Sequence, residues 1–363
     1  MFNDSNIKIE KIKGWFNGEG AEDDVVLSSR VRLARNLANF PFPNMMNENE
    51  ERAVEERIVG AFEKIKDDEG FTVIRLAKLS PIDRRILLER NYITQDFLLA
   101  KNKTLILNES ETFSAMINEE DHLRLASLHS GLSLKESFEE VDRIDSELEN
   151  YLHYSVSLEW GYLNSSLNNI GTAMRGSVML HLPALVMTSL IDRVLKSVNE
   201  VGLSVKGFFG EDEGSLGDMY QLSNQITLGL SEEEIIEKLE GIAIQLVNYE
   251  RKARRELLEK RRVDVVDKVM RALGILKYCR ILTVKEAVEL LTLLRLGVSM
   301  GLVRGVDFAT INTLLFIVQK SNIQKMVNEI YGKDFDNHQI NYIRAKIIRE
   351  TLEATENLEG KDV

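Results

Sequence analysis

The apolar period changes once along this 363-residue chain, and that change limits the fold more than any other feature. Up to Leu228, β-branched and apolar runs are separated by polar or glycine-containing breaks. Val25 to Asn36, Phe71 to Leu76, Thr104 to Asn108, Thr112 to Asn118 and Met219 to Leu228 therefore read as strands. Helical spacing lies between them, at Glu51 to Lys64 (Val54, Ile58, Ala61, Phe62) and at His181 to Val198 (Leu182, Leu185, Val186, Leu190). After that, helices take over. Ser231 with Glu234 makes a capping box ahead of Ile235, Leu239, Ile242 and Leu246, and Thr283 with Glu286 makes a second ahead of Val288, Leu291 and Leu294. Thr310 to Gln319 and Ile340 to Leu352 carry the same pattern. The first two-thirds is thus mixed α and β and the remainder helical, with a boundary near 258 inside the charged run Glu250 to Arg262.

Composition narrows the class. With 44% hydrophobic and 29% charged residues, 4 prolines and no low-complexity tract, the chain can bury a sizeable core, and its length suits two domains. A formal charge of −12, from 58 acidic and 46 basic residues, argues against a nucleic-acid binder unless the basic residues cluster. The single cysteine, Cys279, allows neither an internal disulfide nor a CxxC metal site and suits a reducing compartment. The N-terminal MFNDSNIKIEKIKGWF has no apolar signal core, and no later run approaches the roughly 20 apolar residues of a membrane span. A cytoplasmic protein without membrane contact is expected.

The basic residues do cluster. In LSSRVRLARN a strand places Arg30 and Arg32 on one face and Val31 and Leu33 on the other. Two forked guanidinium groups side by side suit a polyphosphate, although a solvated face paired with carboxylates reads the same way. INEEDHLRL gathers Glu119, Glu120, Asp121, His122 and Arg124 at a strand end, as sites do and as solvated loops also do. Asp121 is open between holding Mg²⁺ through water and pairing with Arg124. SSLNNIGTAMRGSVMLHLPAL carries Asn168-Asn169 and Gly171-Thr172 ahead of Arg175; it is no Walker loop, because no GKS or GKT follows the glycine. KGFFGEDEGSLGDMYQLSNQ is a glycine-punctuated acidic loop, long enough to close over a ligand and equally readable as a surface hairpin.

In order and spacing, SSRVRLARN, INEEDHLRL, the NxGTxxR element and the GExxG...SNxxxLG loop resemble the signature segments of the phosphagen (guanidino) kinases, most closely the bacterial protein-arginine kinase branch. The resemblance implies an α+β fold: an antiparallel-sheet catalytic core flanked by helices over residues 1–258, then an all-helical C-terminal domain over 259–363. It implies ATP and Mg²⁺ as cofactors, with Arg30, Arg32, Arg124 and Arg175 on the phosphates and Lys206 in the place of another. Glu120 falls on the catalytic carboxylate. Further nucleotide contacts fall on Ser28, Ser29, Val31, Asn91, Gly176, Ser177, Val178, Met179, Gly207, Phe208, Phe209, Gly210 and Glu211. Implied partners are protein substrates with exposed arginines, a second copy of the chain, a zinc-containing activator and a Clp ATPase, with no nucleic acid.

Departures from the family pattern bear on activity. The substrate-contacting cysteine of relatives falls on Ser166, which cannot supply a thiolate near neutral pH, and the following proline falls on Leu167. The base-stacking histidine aligns with Asn91, and Ala173 follows the glycine-threonine pair. Glu211 and Glu213 lie near the family's second carboxylate, whose column holds Gly214. The arginine-aspartate pair that recognises phosphoarginine in this branch reads Ile340 and Asn341, with only Arg344 and Ala345 matching, so that regulatory site is expected to be absent. Only 27 residues precede Ser28, too few for the helical domain that covers small substrates in relatives, so protein arginine is expected as the acceptor. A kinase of a free guanidino compound and a weakened homologue acting as an adaptor are the alternatives. Leu290, Leu291, Leu293, Leu294 and Leu296 exceed one helix face and suggest a subunit interface.

Overall fold

The computed structural model describes residues 14–65, 70–100, 103–207 and 216–357. Its centre is one eight-stranded, wholly antiparallel sheet. The strands are β1 (Val26–Arg35), β2 (Phe71–Arg75), β3 (Thr104–Asn108), β4 (Phe113–Ile117), β5 (Leu123–Ser130), β8 (Met174–His181), β9 (Leu203–Gly207) and β10 (Met219–Asn224), with β6 (Val156–Ser157) and β7 (Gly161–Tyr162) forming a separate small hairpin. The spatial order β2-β3-β4-β5-β1-β8-β10-β9 puts β1 in the middle. The helices are α1 (Glu48–Phe62), α2 (Pro81–Glu89), α3 (Gln95–Leu99), α4 (Leu134–Glu149), α5 (Pro183–Met187), α6 (Ile191–Glu200), α7 (Glu232–Lys260), α8 (Arg262–Tyr278), α9 (Val284–Ser299), α10 (Phe308–Ile317), α11 (Lys320–Tyr331) and α12 (Asn337–Thr351).

Strand alternation divides the sheet into two unlike faces. Val31 and Leu33 of β1, with Leu125, Ala115 and Ile106 beyond them, bury one face under α1, α4 and α7. Phe62 of α1 meets Phe71 edge-on at 5.0 Å, and α7 lies so close to β8 that a Cβ on Gly176 would sit 2.6 Å from Leu239 Cδ1. The other face carries Ser28, Arg30 and Arg32. The helices after α7 dock beside it: Phe316 of α10 packs on Trp15 and Phe16, and Asn322 of α11 bonds Glu89 and Arg90 at the end of α2.

β1 to β4 and the Ser231 capping box follow the sequence reading. Other elements correct it. α1 starts at Glu48 because Asn47 and Glu50 form the box that sets its end. The expected helix His181 to Val198 is three elements: His181 ends β8, Pro183 opens α5, and Ser189 at φ 59° breaks the chain before α6. The strand expected to Leu228 stops at Asn224, and Thr283 caps α9 through the Glu286 amide. In α9, Leu290, Leu291, Leu294 and Leu296 are buried within the chain and Leu293 packs against the same core, so these leucines offer no free apolar face.

Candidate active site

Sheet register decides which of the singled-out residues meet. Arg32 faces Arg175 across β1 and β8, Ala34 faces Arg124 across β1 and β5, and Arg30 faces Ser177. Facing residues of an antiparallel pair share a side, so all four arginines stand on the face opposite α4 and α7. Two strands further out, Met179 faces Gln221 and Gln221 faces Lys206, which places Lys206 on the same side in the row of Ser28. A small cleft next to Arg30 is lined by Trp15, Ser28, Asn91, Leu128, Ser177, Met179 and Gln221.

The charges in this patch are poorly balanced. Burial, then the neighbouring arginines, pulls the Arg30 guanidinium down to about 10 and holds Arg32 and Arg175 below their ordinary value. All three remain cations near neutral pH. Among the described residues, ion pairing compensates Arg124 alone, whose Nη1 lies 2.6 Å from Glu119 and Nη2 3.6 Å from Glu120. Arg30 and Arg32 form no ion pair among the described residues, and Arg32 Nε is buried without a hydrogen-bond partner. Buried guanidinium donors left unpaired on one face are a receptor for a multiply charged anion.

The β4–β5 turn carries the acidic residues, and its carboxylates differ in how they are held. Glu119 accepts from Thr94 Oγ1 at 2.8 Å and from the Glu120 amide at 2.9 Å, besides its bond to Arg124. Glu120 is looser: its side chain is 44% exposed at the edge of the arginine patch. Burial raises its pKa first of all, with Asp121 and Glu119 adding and Arg124 and Arg175 opposing. Among the described residues Arg124 pairs with Glu119 and Glu120 and not with Asp121. Asp121 is buried, and its Oδ1 accepts from Asn36 Nδ2 at 2.6 Å and from the Ser165 amide at 2.8 Å. That second bond ties the chain at Ser166 to the turn bearing Glu120. His122 is structural: Nδ1 accepts from the Leu37 amide, Nε2 lies 2.8 Å from the Pro41 carbonyl, and burial lowers its pKa.

The comparisons with known proteins agree with this geometry. Residues 53–253 match the model of the ATP:guanido phosphotransferase C-terminal catalytic domain, and 262–362 match that of the protein-arginine kinase McsB C-terminal domain. A protein-arginine kinase of Pelotomaculum thermopropionicum is 42% identical over 339 residues, covering 92% of this chain and 94% of the relative. The chain belongs to the ATP:guanido phosphotransferase family. Its protein-arginine kinase branch is represented also by a Desulforamulus reducens relative, 42% identical over 349 residues and 94% of this chain, 96% of its own length. Among solved structures, a lombricine kinase superposes with TM-score 0.57 at 26% identity, over 68% of this chain and 70% of that one. The duplicated taurocyamine kinase of Schistosoma mansoni shares the fold with TM-score 0.57 at 23% identity; the match spans 67% of this chain and 35% of that longer one.

Within this guanido phosphotransferase, a phosphotransferase enzyme by family, the predicted nucleotide residues divide by face. Ser28, Arg30, Asn91, Ser177 and Met179 line the pocket. Ser29, Val31, Gly176 and Val178 do not: their positions alternate onto the helix-covered face. There Ser29 Oγ donates to the Gly131 carbonyl and accepts from the Ser133 amide, and Val31 and Val178 are core. Gly207 faces Tyr220, off the arginine side. Phe208, Phe209, Gly210, Glu211, Glu213 and Gly214 lie outside the described residues. Gly171 is required by close approach, since a Cβ there would lie 2.3 Å from the Thr227 carbonyl oxygen. Sequence reading missed Trp15, which lies far from the recognised motifs, and gave Glu119, although within INEEDHLRL, no role. Among the described residues no three His, Cys, Asp or Glu side chains are grouped to hold a metal. No described helix is long and apolar enough to cross a membrane.

Proposed function

We propose that this enzyme transfers the terminal phosphoryl group of MgATP to the guanidinium of arginine residues in proteins. The observation that carries the reading is the single-face patch of Arg30, Arg32, Arg124 and Arg175 with the half-free Glu120 at its edge. The branch of the family supports protein arginine as acceptor: relatives bearing that activity in their names align over nearly the whole chain.

In this reading the arginines bind the phosphates, align them, and stabilise the charge spread over the equatorial oxygens during in-line transfer. Guanidinium is a weak nucleophile because it is protonated and delocalised. Glu120 orients it and accepts a proton from the attacking nitrogen as the N–P bond forms and the bond to the bridging oxygen breaks. A raised carboxyl pKa makes Glu120 a stronger base than an ordinary glutamate. Glu119 keeps Arg124 in place, and Asp121 holds the Ser166 segment beside the turn. Ser166 offers the incoming guanidinium a hydroxyl acceptor without charge.

The proposal extends to an assembly and a role. The helical region from about 259 pairs two copies, with Ile275, Tyr278 and Ile281 exposed for that contact. The phosphorylated proteins are handed to a Clp-type protease, in the cytoplasm, with a zinc-containing activator. Ile340 is buried, and Arg344 donates through Nε to the Val318 carbonyl and through Nη1 to the Leu282 carbonyl and Asn341 Oδ1, which supports the reading that this helix holds no phosphoarginine pair. The test is phosphorus NMR at neutral pH of the protein with ATP, Mg²⁺ and an unfolded arginine-rich protein. A phosphoramidate resonance present with the wild type and lost with Glu120→Gln is the expected result. Its absence from the wild type under conditions where ATP binds would overturn the proposal.

A further inference from the structure

The end of the sheet that carries the Glu120 turn is rimmed by apolar side chains that the fold leaves exposed. β1 leaves there at Arg35, β5 and β8 enter at Leu123 and Met174, and β10 leaves at Asn224. Just outside it, three segments meet at Gly171. The β6–β7 hairpin reaches it through the Tyr162 amide, which donates to the Gly171 carbonyl at 2.9 Å, and the Thr172 amide donates to the Thr227 carbonyl at 3.0 Å. Thr227 Oγ1 in turn donates to the Asn168 and Ile170 carbonyls at 3.1 and 2.7 Å. The hairpin, the turn Leu167–Asn169 and the 226–228 segment are therefore one hydrogen-bonded unit, fastened to the Glu120 turn through the bond from the Ser165 amide to Asp121.

Each segment of this unit offers apolar side chains to solvent. Leu158 at the hairpin tip is fully exposed, Leu167 is 84% exposed, and Val156, Trp160, Ile226 and Leu228 lie between 44% and 55%. A single exposed leucine is ordinary on a protein surface, whereas six large apolar residues on one bonded unit mark a contact surface. Charge and position say what covers it. Residues 151–171 contain one acid, Glu159, and no lysine or arginine, and residues 225–231 contain no charged side chain. A cation therefore approaches Ser166 and Glu120 across this rim without repulsion from the segments that form it. Leu167 follows Ser166 directly, so the apolar surface begins one residue from the position that receives the guanidinium.

We propose that this rim is the docking surface for the polypeptide that carries the acceptor arginine, and that it takes apolar side chains flanking that arginine. The inference rests on the reading of this enzyme as a protein-arginine kinase and narrows its substrate. Arginines within apolar, unfolded stretches are favoured over arginines on a folded surface, whose neighbours are mostly polar. A free guanidino compound has no flanking side chains and gains nothing from the rim.

The test compares two labelled, unstructured peptides that differ only in the neighbours of a central arginine, leucine and phenylalanine in one and serine and glycine in the other. Binding to the full-length chain is read by fluorescence anisotropy, and turnover by phosphoramidate formation with ATP and Mg²⁺. The apolar-flanked peptide is expected to bind about tenfold tighter, the scale of one partly buried apolar side chain, and to gain in KM with kcat unchanged. Leu158→Ser/Leu167→Ser/Ile226→Ser, one exposed position on each segment, is checked for folding by circular dichroism and is expected to remove the preference. Equal affinity of the wild type for the two peptides would overturn the docking surface. So would a preference that survives the triple substitution, or a triple variant that keeps the preference and loses subunit association in sedimentation, which would give this face to a second copy of the chain. Preferential binding with no turnover of either peptide would leave the docking surface standing and overturn the protein-arginine reading.

Discussion

Two groups of buried or half-buried arginines in this molecule look alike in composition and differ in what surrounds them. Arg35, Arg254 and Arg295 are engaged through all three guanidinium nitrogens, and Arg344 through two. Arg35 pairs with Asp145 at 2.6 Å, and Arg254 reaches Glu250 at 2.8 Å and Asp24 at 3.1 Å. Arg295 donates to the Asp24 carbonyl at 2.9 Å, to that of Asp23 and to Asn312 Oδ1. Arg254 and Arg295 join the segment before β1 to α7, α9 and α10. Arg30 and Arg32 have no such partners among the described residues, and Arg32 carries a buried Nε without a hydrogen bond there. The difference teaches where stability has been traded for binding: a guanidinium fully engaged by the protein is structure, and one left facing other cations is a waiting site.

The sharpest break in this comparison is Arg32→Met. It is expected to lower kcat/KM at least a hundredfold, on the scale of a lost electrostatic transition-state contact, without lowering the thermal midpoint, because it relieves repulsion with Arg30, Arg124 and Arg175. Steady-state kinetics and calorimetry on the same preparation check both halves; a destabilised Arg32→Met would place Arg32 with the structural group. Arg295→Met is the mirror case. It strands the Asp23 and Asp24 carbonyls and is expected to cost on the order of 3 kcal/mol in denaturant unfolding, while ATP affinity of the folded fraction stays within a few-fold. A stability loss near zero would show that its bonds are replaceable.

Alternation in LSSRVRLARN made half of this legible. A period of two sends Arg30 and Arg32 to one face and Arg35 to the other, and the structure keeps that division. The strand runs β1 to β4 were legible for the same reason, since branched side chains at that period favour a pleated surface. Register was not legible, and register is what brings Arg175 opposite Arg32. Nor was the choice between Glu119 and Glu120 available from their adjacent positions: it depends on Thr94, which sits 25 residues away in sequence and commits Glu119. The break at Ser189 escaped because Leu182, Leu185, Val186 and Leu190 mimic one helical stripe, although Leu190 ends up 42% exposed. Trp15 was invisible because its place beside Arg30 comes with its packing on Phe316, at the other end of the chain.

Ligand-induced stability sharpens the comparison at intermediate scale. Tripolyphosphate at a hundred times its dissociation constant is expected to stabilise the wild type by about 2.7 kcal/mol, and Arg32→Met at the same concentration by much less. Arg295→Met should respond like the wild type once its lower baseline is subtracted. A loss of the tripolyphosphate response in Arg295→Met, read in thermal shift assays, would show that the two groups are coupled. The pH dependence of kcat/KM probes the neighbouring carboxylate. Because Glu120 must be ionised to accept a proton and its pKa is raised, activity falls as pH drops through a limb above the ordinary glutamate value of 4.5. A limb at or below 4.5 would remove Glu120 as the base.

Acids at the junction repeat the contrast on a smaller scale. Glu250 is buried but engaged, accepting from the Ala184 and Leu185 amides at 3.0 Å each and from Arg254. Asp218, just ahead of β10, has only Lys268 to oppose burial and the charges of Glu250 and Glu289, and its carboxyl is pushed up to about 6. A folded-state pKa above the unfolded value means that the neutral acid is tolerated and the anion is not. The resulting loss of stability is absent below about pH 4, grows as pH rises toward 6, and is complete above it. Asp218→Asn cannot ionise, so its thermal midpoint is expected to exceed that of the wild type at pH 8 and to match it at pH 4. Equal midpoints at both values would mean that the Asp218 anion is compensated by its surroundings, and the division between engaged and waiting charges would then be confined to the arginines.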